Sequence, residues 1–148
     1  IFGGKITTYR RLAQSALGKI RPYFEDVADD WTAGVPLPGG DFPVDGVGDL
    51  VSGLETDFPF LTPMWALRLV RAYGTDTRAV LGAAKTAEDL GADFGATLTE
   101  AEVVWLMDKE YAQTAEDIVW RRNKLGLRLS DQQIAMLDAW MSARRQAA

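Results

Sequence analysis

Three helix-start signatures in the last third of the chain restrict it to a mainly helical fold. Residues 99–102 read Thr-Glu-Ala-Glu, residues 114–117 read Thr-Ala-Glu-Asp, and residues 130–133 read Ser-Asp-Gln-Gln. In such a capping box, the first and fourth side chains reciprocally satisfy backbone N–H groups that a helix start leaves unpaired. Apolar residues at helical spacing follow each signature. The sequence therefore predicts three helices from residue 99 onward.

The earlier part of the chain has the same helical periodicity. A first helix is predicted over residues 7–24, with Thr7 or Thr8 as its N-cap. Pro22 predicts that the regular part of this helix ends near residues 20–21. Further segments are predicted as helices at 49–56, 63–73 and 75–84, and as a brief turn at 86–91. The expected fold class is all-α, a small orthogonal or bundle-like array of about six or seven helices.

A Gly/Pro-rich loop is predicted after the first helix, over residues 33–48. Eight of these sixteen positions are glycine or proline, which excludes a helix. So long a connection is expected to be functional, mobile, or packed across a neighbour. Its apolar members favour packing against another surface: Val35, Leu37, Phe42 and Val44.

The charge is distributed unevenly. The net charge is −5, yet residues 1–24 contain five basic and no acidic side chains. The remaining residues carry a balance of −10. An acidic body disfavours a general nucleic-acid binder. The absence of Cys and His excludes disulfides, thiolate chemistry and a Ser-His-Asp triad, and no apolar run is long enough for a predicted membrane span.

Two charged clusters are more simply explained by structure than by chemistry. The acidic run at residues 25–30 lacks the ligand spacing of a calcium loop, and we expect a solvated surface there and no metal site. Arg121 and Arg122 lie near the end of a predicted helix, where arginine is favourable and an anion is not. We expect them to form ion pairs with Glu116, Asp117 or a neighbouring helix.

The stretch from Ile1 to Thr8 has the pattern of a strand end, a Gly-Gly turn and a helix start. Glycines allow a sharp turn and a close approach to a ligand, and a helix start presents free N–H groups and a positive dipole. Lys5 adds a full charge. The pattern is not a Walker A motif, because Ile6 stands where Ser or Thr would follow Gly-Lys. From these residues alone, a simple glycine hinge is an equal alternative.

The string Gly-Gly-Lys-Ile-Thr-Thr-Tyr-Arg-Arg-Leu-Ala at residues 3–13 resembles the segment that closes the flavin domain of FAD-dependent glycerol-3-phosphate dehydrogenases. In that family an all-helical C-terminal domain follows this segment. The resemblance continues at residues 37–40, 58–62, 73–74, 89–95 and 114–122, so it covers essentially the whole chain.

The resemblance implies that the glycine-lysine loop borders the isoalloxazine ring of FAD. The residues it assigns to FAD contact are Gly3, Gly4, Lys5, Ile6 and Thr7. Backbone N–H groups near Lys5 to Thr7 would face the pyrimidine side of the flavin, where negative charge develops during hydride acceptance. Lys5 would also contact the substrate, glycerol 3-phosphate, and is the one catalytic candidate.

The resemblance also implies a domain organisation. Residues 1–24 would end the flavin domain, residues 25–48 would form an acidic exit and the Gly/Pro-rich loop, and residues 49–148 would form the helical C-terminal domain. We interpret the chain as a soluble fragment of an enzyme associated peripherally with the cytoplasmic side of a membrane. Its partners would be the FAD domain of the same protein, glycerol 3-phosphate and a quinone, with a homo-oligomer as a further option. A related family uses oxygen instead of quinone, and the sequence does not separate the two.

Two other hypotheses remain open at this point. The chain could be a non-enzymatic interaction domain whose basic first helix docks a partner. It could also bind nucleic acid through the helices that start near residues 114 and 130, although the acidic total opposes this.

Overall fold

The computed structural model describes residues 4–26 and 28–147. The chain forms two compact units, of which the first ends at Leu37 and the second begins at Pro38. The predicted strand end at residues 1–2 and the glycine at position 3 lie outside the described residues.

The first unit is built on one helix, α1 (Tyr9–Ile20), which is continued by a 3-10 turn at Arg21–Tyr23. The predicted helix is confirmed, and its regular part ends before Pro22 as expected. Thr8 occupies the N-cap position, but its side chain makes no capping bond. Its hydroxyl instead lies 3.4 Å from the carbonyl oxygen of Lys5.

An extended segment, residues 28–37, lies along one flank of α1. The guanidinium of Arg10 donates to Gln14 Oε1 at 2.8 Å and to Thr32 Oγ1 at 3.2 Å. Near the other end of the helix, Arg21 donates to the carbonyl oxygen of Ala28 at 2.8 Å. This segment is therefore bonded to the first helical stretch near both of its ends.

The second unit contains the remaining helices and one small sheet. The α-helices are α2 (Val47–Asp57), α3 (Pro63–Tyr73), α4 (Thr77–Leu81), α5 (Glu100–Glu110) and α6 (Asp131–Ala147). A π-helix spans Asp117–Arg122, and 3-10 turns span Gly74–Asp76, Glu88–Leu90 and Leu125–Leu127. The mainly helical prediction is confirmed for the described residues.

A buried core holds the second unit together. Its largest fully buried side chains include Leu54, Leu69, Phe94, Leu98, Leu106, Ile118, Leu137 and Met141. These residues come from α2, α3, α5, α6, the π-helix and the sheet. Each buried Leu, Ile, Phe or Met contributes about 1.5–3 kcal/mol to stability. No described residue of the first unit belongs to this core.

A two-stranded antiparallel sheet, β1 (Asp93–Gly95) and β2 (Leu98–Thr99), corrects the purely helical expectation. Strands of three and two residues are too short to leave an alternating sequence pattern. Their connection, Ala96-Thr97, has positive φ at both positions, at 49° and 66°. Such a turn is favoured by Gly and Asn, so Ala-Thr gave no turn signal.

Two of the three predicted capping boxes are confirmed. Asp117 accepts from the backbone N–H of Thr114 at 3.0 Å, and Thr114 Oγ1 accepts from that of Asp117 at 3.3 Å. Ser130 and Gln133 exchange the equivalent pair of bonds, at 2.9 and 3.3 Å. The box predicted at residues 99–102 is wrong: its helix begins as expected, but Glu102 points into the core, where an arginine binds it.

The Gly/Pro-rich loop begins the second unit with a close backbone contact to the end of α3. The N–H of Thr75 donates to the carbonyl oxygen of Gly39 at 3.0 Å. A Cβ added to Gly74 would lie 1.9 Å from that oxygen, and one added to Gly39 would lie 2.1 Å from the carbonyl oxygen of Tyr73. Gly39 is therefore packed against a helix end of its own unit. The expected packing of the apolar loop residues is wrong for Val35, Leu37 and Val44, which are 50%, 63% and 102% exposed.

This contact predicts different costs for two glycines that end helices. Gly74 has φ +54° and Gly82 has φ +59°, but only Gly74 has a backbone atom in the path of a Cβ. Gly82→Ala is expected to lower the free energy of unfolding by about 1–2 kcal/mol, the cost of left-handed backbone. Gly74→Ala is expected to have the same backbone cost and, in addition, an overpacking cost of about 1–3 kcal/mol. Urea unfolding of the two variants measures the difference, and equal losses would contradict the contact.

Candidate functional site

The candidate site is the segment from Gly4 to Thr8 that leads into α1. Gly4 has φ +133°, a conformation that side-chain-bearing residues rarely adopt. A turn follows, in which the N–H of Thr8 donates to the carbonyl oxygen of Lys5 at 2.9 Å. The N–H of Leu12 then donates to the carbonyl oxygen of Thr8 at 3.0 Å. The first turn of α1 thus begins directly after the glycine-lysine loop.

Positive charge accumulates at this helix start, where the dipole already favours an anion. The first turn contains no acidic side chain, and it carries Arg10 and Arg11. Arg10 is held by the neutral acceptors Gln14 and Thr32, which leave its charge uncompensated. Cations at a helix N-terminus are unfavourable by themselves, so the arrangement suits a negatively charged ligand.

A groove of 540 Å³ lies beside the loop. It is lined by Gly4, Lys5, Ile6, Tyr9, Leu12 and Leu37. All but one of these residues are glycine, aromatic or aliphatic, and Lys5 supplies the charge. A mainly apolar lining with a few polar groups is usual for a site that binds a small molecule or cofactor.

The structure brings together four of the five predicted contact residues. Gly4, Lys5, Ile6 and Thr7 are consecutive and exposed, and Ile6 retains 87% of its accessible surface. The predicted contact residue Gly3 lies outside the described residues.

The alternative anion site at the end of the π-helix is occupied by the chain's own carboxylates. Arg121 pairs with Asp117 at 2.7 Å and with Glu116 at 3.1 Å. Arg122 donates to the carbonyl oxygen of Glu110 at 2.6 Å. The predicted structural role of these arginines is confirmed. Because both side chains are bound within the chain, they do not support the hypothesis of nucleic-acid binding.

Asp117 gives this region an acid-sensitive contact. The backbone N–H groups of Gln113 and Thr114, and the guanidinium of Arg121, lower the pKa of Asp117 from 3.8 to about 2. A carboxyl whose folded pKa is lowered stabilises the protein above its unfolded pKa, and this stability is lost as the pH falls towards the folded value. Asp117→Asn is expected to cost about 1 kcal/mol at pH 7, as the loss of a helix cap does. Thermal unfolding from pH 7 to pH 2 tests this, because the difference from the parent should disappear between about pH 4 and pH 2.

Two residues of the acidic run after α1 form ion pairs within the first unit. Arg21 lies 3.7 Å from Asp29 and 3.3 Å from Asp30. Over residues 4–26 and 28–147, no group of three or more His, Cys, Asp or Glu side chains is arranged to hold a metal ion. In the same described range, no helix is both long and apolar enough to cross a membrane.

One buried network was missed by sequence reasoning. Arg68 donates to both carboxylate oxygens of Glu102, at 2.8 and 2.6 Å, and also binds Thr97 through its side chain and backbone oxygen. Tyr73 donates its hydroxyl to Glu102 at 2.7 Å. Burial, together with the Glu102 charge, raises the pKa of Tyr73, which keeps this donor protonated. All of these groups are satisfied internally, so the network is structural and not a ligand site.

Comparison with known families identifies the second unit. Residues 31–145 match the sequence profile of a family described as the C-terminal domain of alpha-glycerophosphate oxidase. The matched range contains the whole second unit except its last residues, and it begins after α1.

Individual relatives match almost the whole chain. An aerobic glycerol-3-phosphate dehydrogenase of Escherichia coli K12 is 41% identical over 141 residues, 95% of this chain. A glycerol-3-phosphate dehydrogenase of Pseudomonas aeruginosa is 43% identical over 143 residues, 97% of this chain. A D-erythritol 1-phosphate dehydrogenase of Brucella abortus is 36% identical over 140 residues, 95% of this chain. The chain spans 28% of the length of each of these relatives.

Proposed function

The chain belongs to the family of the C-terminal domain of alpha-glycerophosphate oxidase, and we propose that it forms part of an enzyme that oxidises glycerol 3-phosphate to dihydroxyacetone phosphate with FAD as cofactor. The similarity to two glycerol-3-phosphate dehydrogenases at 41% and 43% identity supports this substrate. The relative named for D-erythritol 1-phosphate supports the wider class, a polyol phosphate.

The proposal rests mainly on the geometry of the segment at residues 4–8. Gly4 has no side chain to block a planar ring, and the groove beside it has aliphatic and aromatic walls. The first turn of α1 lacks acidic residues, and its side-chain cap is missing. The dipole of α1 and the backbone N–H groups of the loop before it would therefore favour the electron-rich edge of a flavin, with Gly4, Lys5, Ile6 and Thr7 as the contact residues.

When bound, FAD would supply the two-electron acceptor for the hydride lost from C2 of glycerol 3-phosphate, and the electrons would pass on to a quinone. The start of α1 would stabilise the negative charge that develops at this point, because its dipole and N–H groups are already oriented. Lys5 is exposed, lines the groove and would bind the phosphate or an oxygen of the substrate.

The base that removes the hydroxyl proton is assigned to another part of the protein. The resemblance to FAD-dependent glycerol-3-phosphate dehydrogenases implies that this base lies in the flavin or substrate domain. The proposed enzyme therefore requires a longer protein, because its relatives contain a much larger part outside the matched residues. The 148-residue chain by itself is expected to be inactive. Transfer of electrons to a quinone would require the whole enzyme to lie at a membrane, and we propose the cytoplasmic face.

Product and acceptor measurements on the full-length protein test this function. Glycerol 3-phosphate is supplied once without oxygen and with a soluble quinone, and once with oxygen as the sole acceptor. We expect dihydroxyacetone phosphate and reduced quinone in equal amounts, and little product with oxygen. If hydrogen peroxide forms in the presence of oxygen, the electron acceptor is oxygen and not quinone. If neither acceptor gives dihydroxyacetone phosphate, the proposed reaction is contradicted.

A further inference from the structure

The extended segment at residues 28–37 is attached to α1 and to the turn that follows it through side chains. Arg21 donates to the carbonyl oxygen of Ala28 at 2.8 Å, and Arg10 donates to Thr32 Oγ1 at 3.2 Å. Over residues 4–26 and 28–37, no main-chain hydrogen bond joins the segment to the helix. The position of the segment therefore depends on the two arginines.

The attachment through Arg10 is fixed by a second bond on the helix itself. Nη1 of Arg10 also donates to Gln14 Oε1 at 2.8 Å. Because Gln14 lies one helical turn further along α1, it holds the guanidinium on the side of the helix where Thr32 accepts. Arg10, Gln14 and Thr32 are all half-buried, so water competes less for their hydrogen bonds than it would at an exposed site.

The attachment through Arg21 restricts the other end of the segment and does so more weakly. Its bond to Ala28 is exposed. Its carboxylate partners, Asp29 and Asp30, have side chains that are 105% and 52% exposed, and ion pairs at such exposure contribute little to stability. The bond from Arg10 to Thr32 is therefore the contact that restricts the last residues of the segment.

The bond between Arg10 and Thr32 connects two walls of the groove. Lys5 and Leu37 both line that groove. Arg10 lies five residues after Lys5, and Thr32 lies five residues before Leu37. Because five residues of extended chain span at most about 18 Å, a bond that holds Thr32 on α1 limits how far Leu37 can move from the groove.

The same bond joins two parts of the chain that the family comparison separates. The profile of the C-terminal domain begins at residue 31. Thr32 and Leu37 lie inside the matched range, whereas Arg10 and the glycine-lysine loop precede it. The groove thus takes its walls from both sides of the family boundary.

We propose that Arg10 is a positioning residue for this groove: its bond to Thr32 keeps Leu37 beside the glycine-lysine loop, and the start of the C-terminal domain thereby supplies one apolar wall of the flavin site. The inference rests on the proposed function, which identifies the ligand of the groove as FAD. Leu37 would shield the bound ring from water, because contact between a leucine and an aromatic ring removes apolar surface of both from solvent. Arg10 would act here through Thr32 and Leu37.

Two substitutions of Thr32 in the full-length protein form a matched pair. Valine has the shape of threonine but no hydroxyl to accept from Arg10, whereas serine keeps the hydroxyl. Thr32→Val is expected to speed amide hydrogen exchange within residues 31–37 by about fivefold, the effect of losing one hydrogen bond, and Thr32→Ser should exchange like the parent protein. Equal exchange rates in the two variants would overturn the proposal.

The affinity for flavin distinguishes a positioning role from a merely structural bond. The full-length apoprotein is titrated with FAD, and Thr32→Val is expected to raise the Kd of FAD about fivefold, because Leu37 is no longer held at the groove. Thr32→Ser should restore the parent's Kd. The kcat of Thr32→Val at saturating FAD should stay within about twofold of the parent value, since Thr32 does not line the groove. Faster exchange with an unchanged Kd would overturn the positioning role.

A double-mutant cycle shows whether Arg10 and Thr32 act through one bond. Arg10→Met removes the donor and keeps an unbranched side chain at this position. In the Arg10→Met background, Thr32→Val should speed exchange within residues 31–37 by less than about twofold, because the bond is already absent. A full fivefold effect of Thr32→Val in that background would contradict a direct contact between the two residues.

The outcomes separate this inference from the proposed function. A flavoprotein active on glycerol 3-phosphate whose Kd for FAD is the same in Thr32→Val and in the parent would support the proposed function and overturn the inference. A full-length protein that binds no flavin would contradict the proposed function. In that protein, faster exchange in Thr32→Val than in Thr32→Ser would still support the hold of Arg10 on the groove wall, and equal exchange would overturn it as well.

Discussion

Replacing Glu102 with glutamine is expected to lower the free energy of unfolding by about 3–5 kcal/mol, the largest effect of any single substitution considered for this chain. Glu102 is 1% exposed and binds Arg68 with both carboxylate oxygens. Glutamine keeps the size of the side chain but removes the negative charge, which leaves the guanidinium of Arg68 largely buried and unpaired. The same arginine also holds Thr97 in its left-handed turn, so the sheet connection loses support as well.

Urea unfolding monitored by tryptophan fluorescence measures this effect, and the chain offers a matched control. Arg78 and Asp57 form an equally short pair, 2.6 Å, but both side chains are close to half exposed. Asp57→Asn is expected to cost less than about 1 kcal/mol, because water replaces the lost partner. Losses of similar size for Glu102→Gln and Asp57→Asn would contradict the buried character of the Arg68 pair.

Replacing Lys5 with alanine is expected to lower kcat with glycerol 3-phosphate by about 100-fold in the full-length protein. Lys5 is the charged member of the groove lining, next to the glycine that allows close approach. A cation at this point would bind an oxygen of the substrate and would stabilise the negative charge that the flavin gains as it accepts the hydride. Flavin content should remain near that of the parent protein, because the backbone N–H groups of the loop are unchanged.

Lys19→Ala is the control for this prediction. Lys19 is exposed in the last turn of the same helix, away from the loop and the groove. Its removal changes the net charge by the same amount as Lys5→Ala but should leave kcat unaltered. A Lys5→Ala enzyme with the parent's kinetics and flavin content would remove Lys5 from the proposed site, and equal losses in both variants would indicate a general charge effect.

The parts of the fold that depend on short-range signals were predictable. The bounds of α3 follow from residues at its two ends: Thr62 caps the helix, Pro63 begins it, and Gly74 ends it. The boxes that begin at Thr114 and Ser130 could be identified because both partners lie within four residues of each other. The candidate loop belongs to the same class, since its glycines, its lysine and the helix that follows are consecutive in sequence.

The parts that depend on distant residues were not predictable. Glu102 fits a capping box in sequence, yet it binds Arg68, 34 residues earlier, because burial of both groups allows a bidentate bond that water would weaken at the surface. The sheet connection at Ala96-Thr97 likewise depends on this arginine and not on local turn residues.

The visible spectrum of the full-length protein, recorded without oxygen before and after addition of glycerol 3-phosphate, tests the central claim most directly. The proposed function predicts a flavin spectrum in the purified protein and loss of its long-wavelength absorbance when the substrate is added. The loss should not follow addition of glycerol or of inorganic phosphate alone. A colourless protein, or a flavin spectrum that glycerol 3-phosphate leaves unchanged, would contradict the claim that this loop belongs to a glycerol 3-phosphate oxidising site.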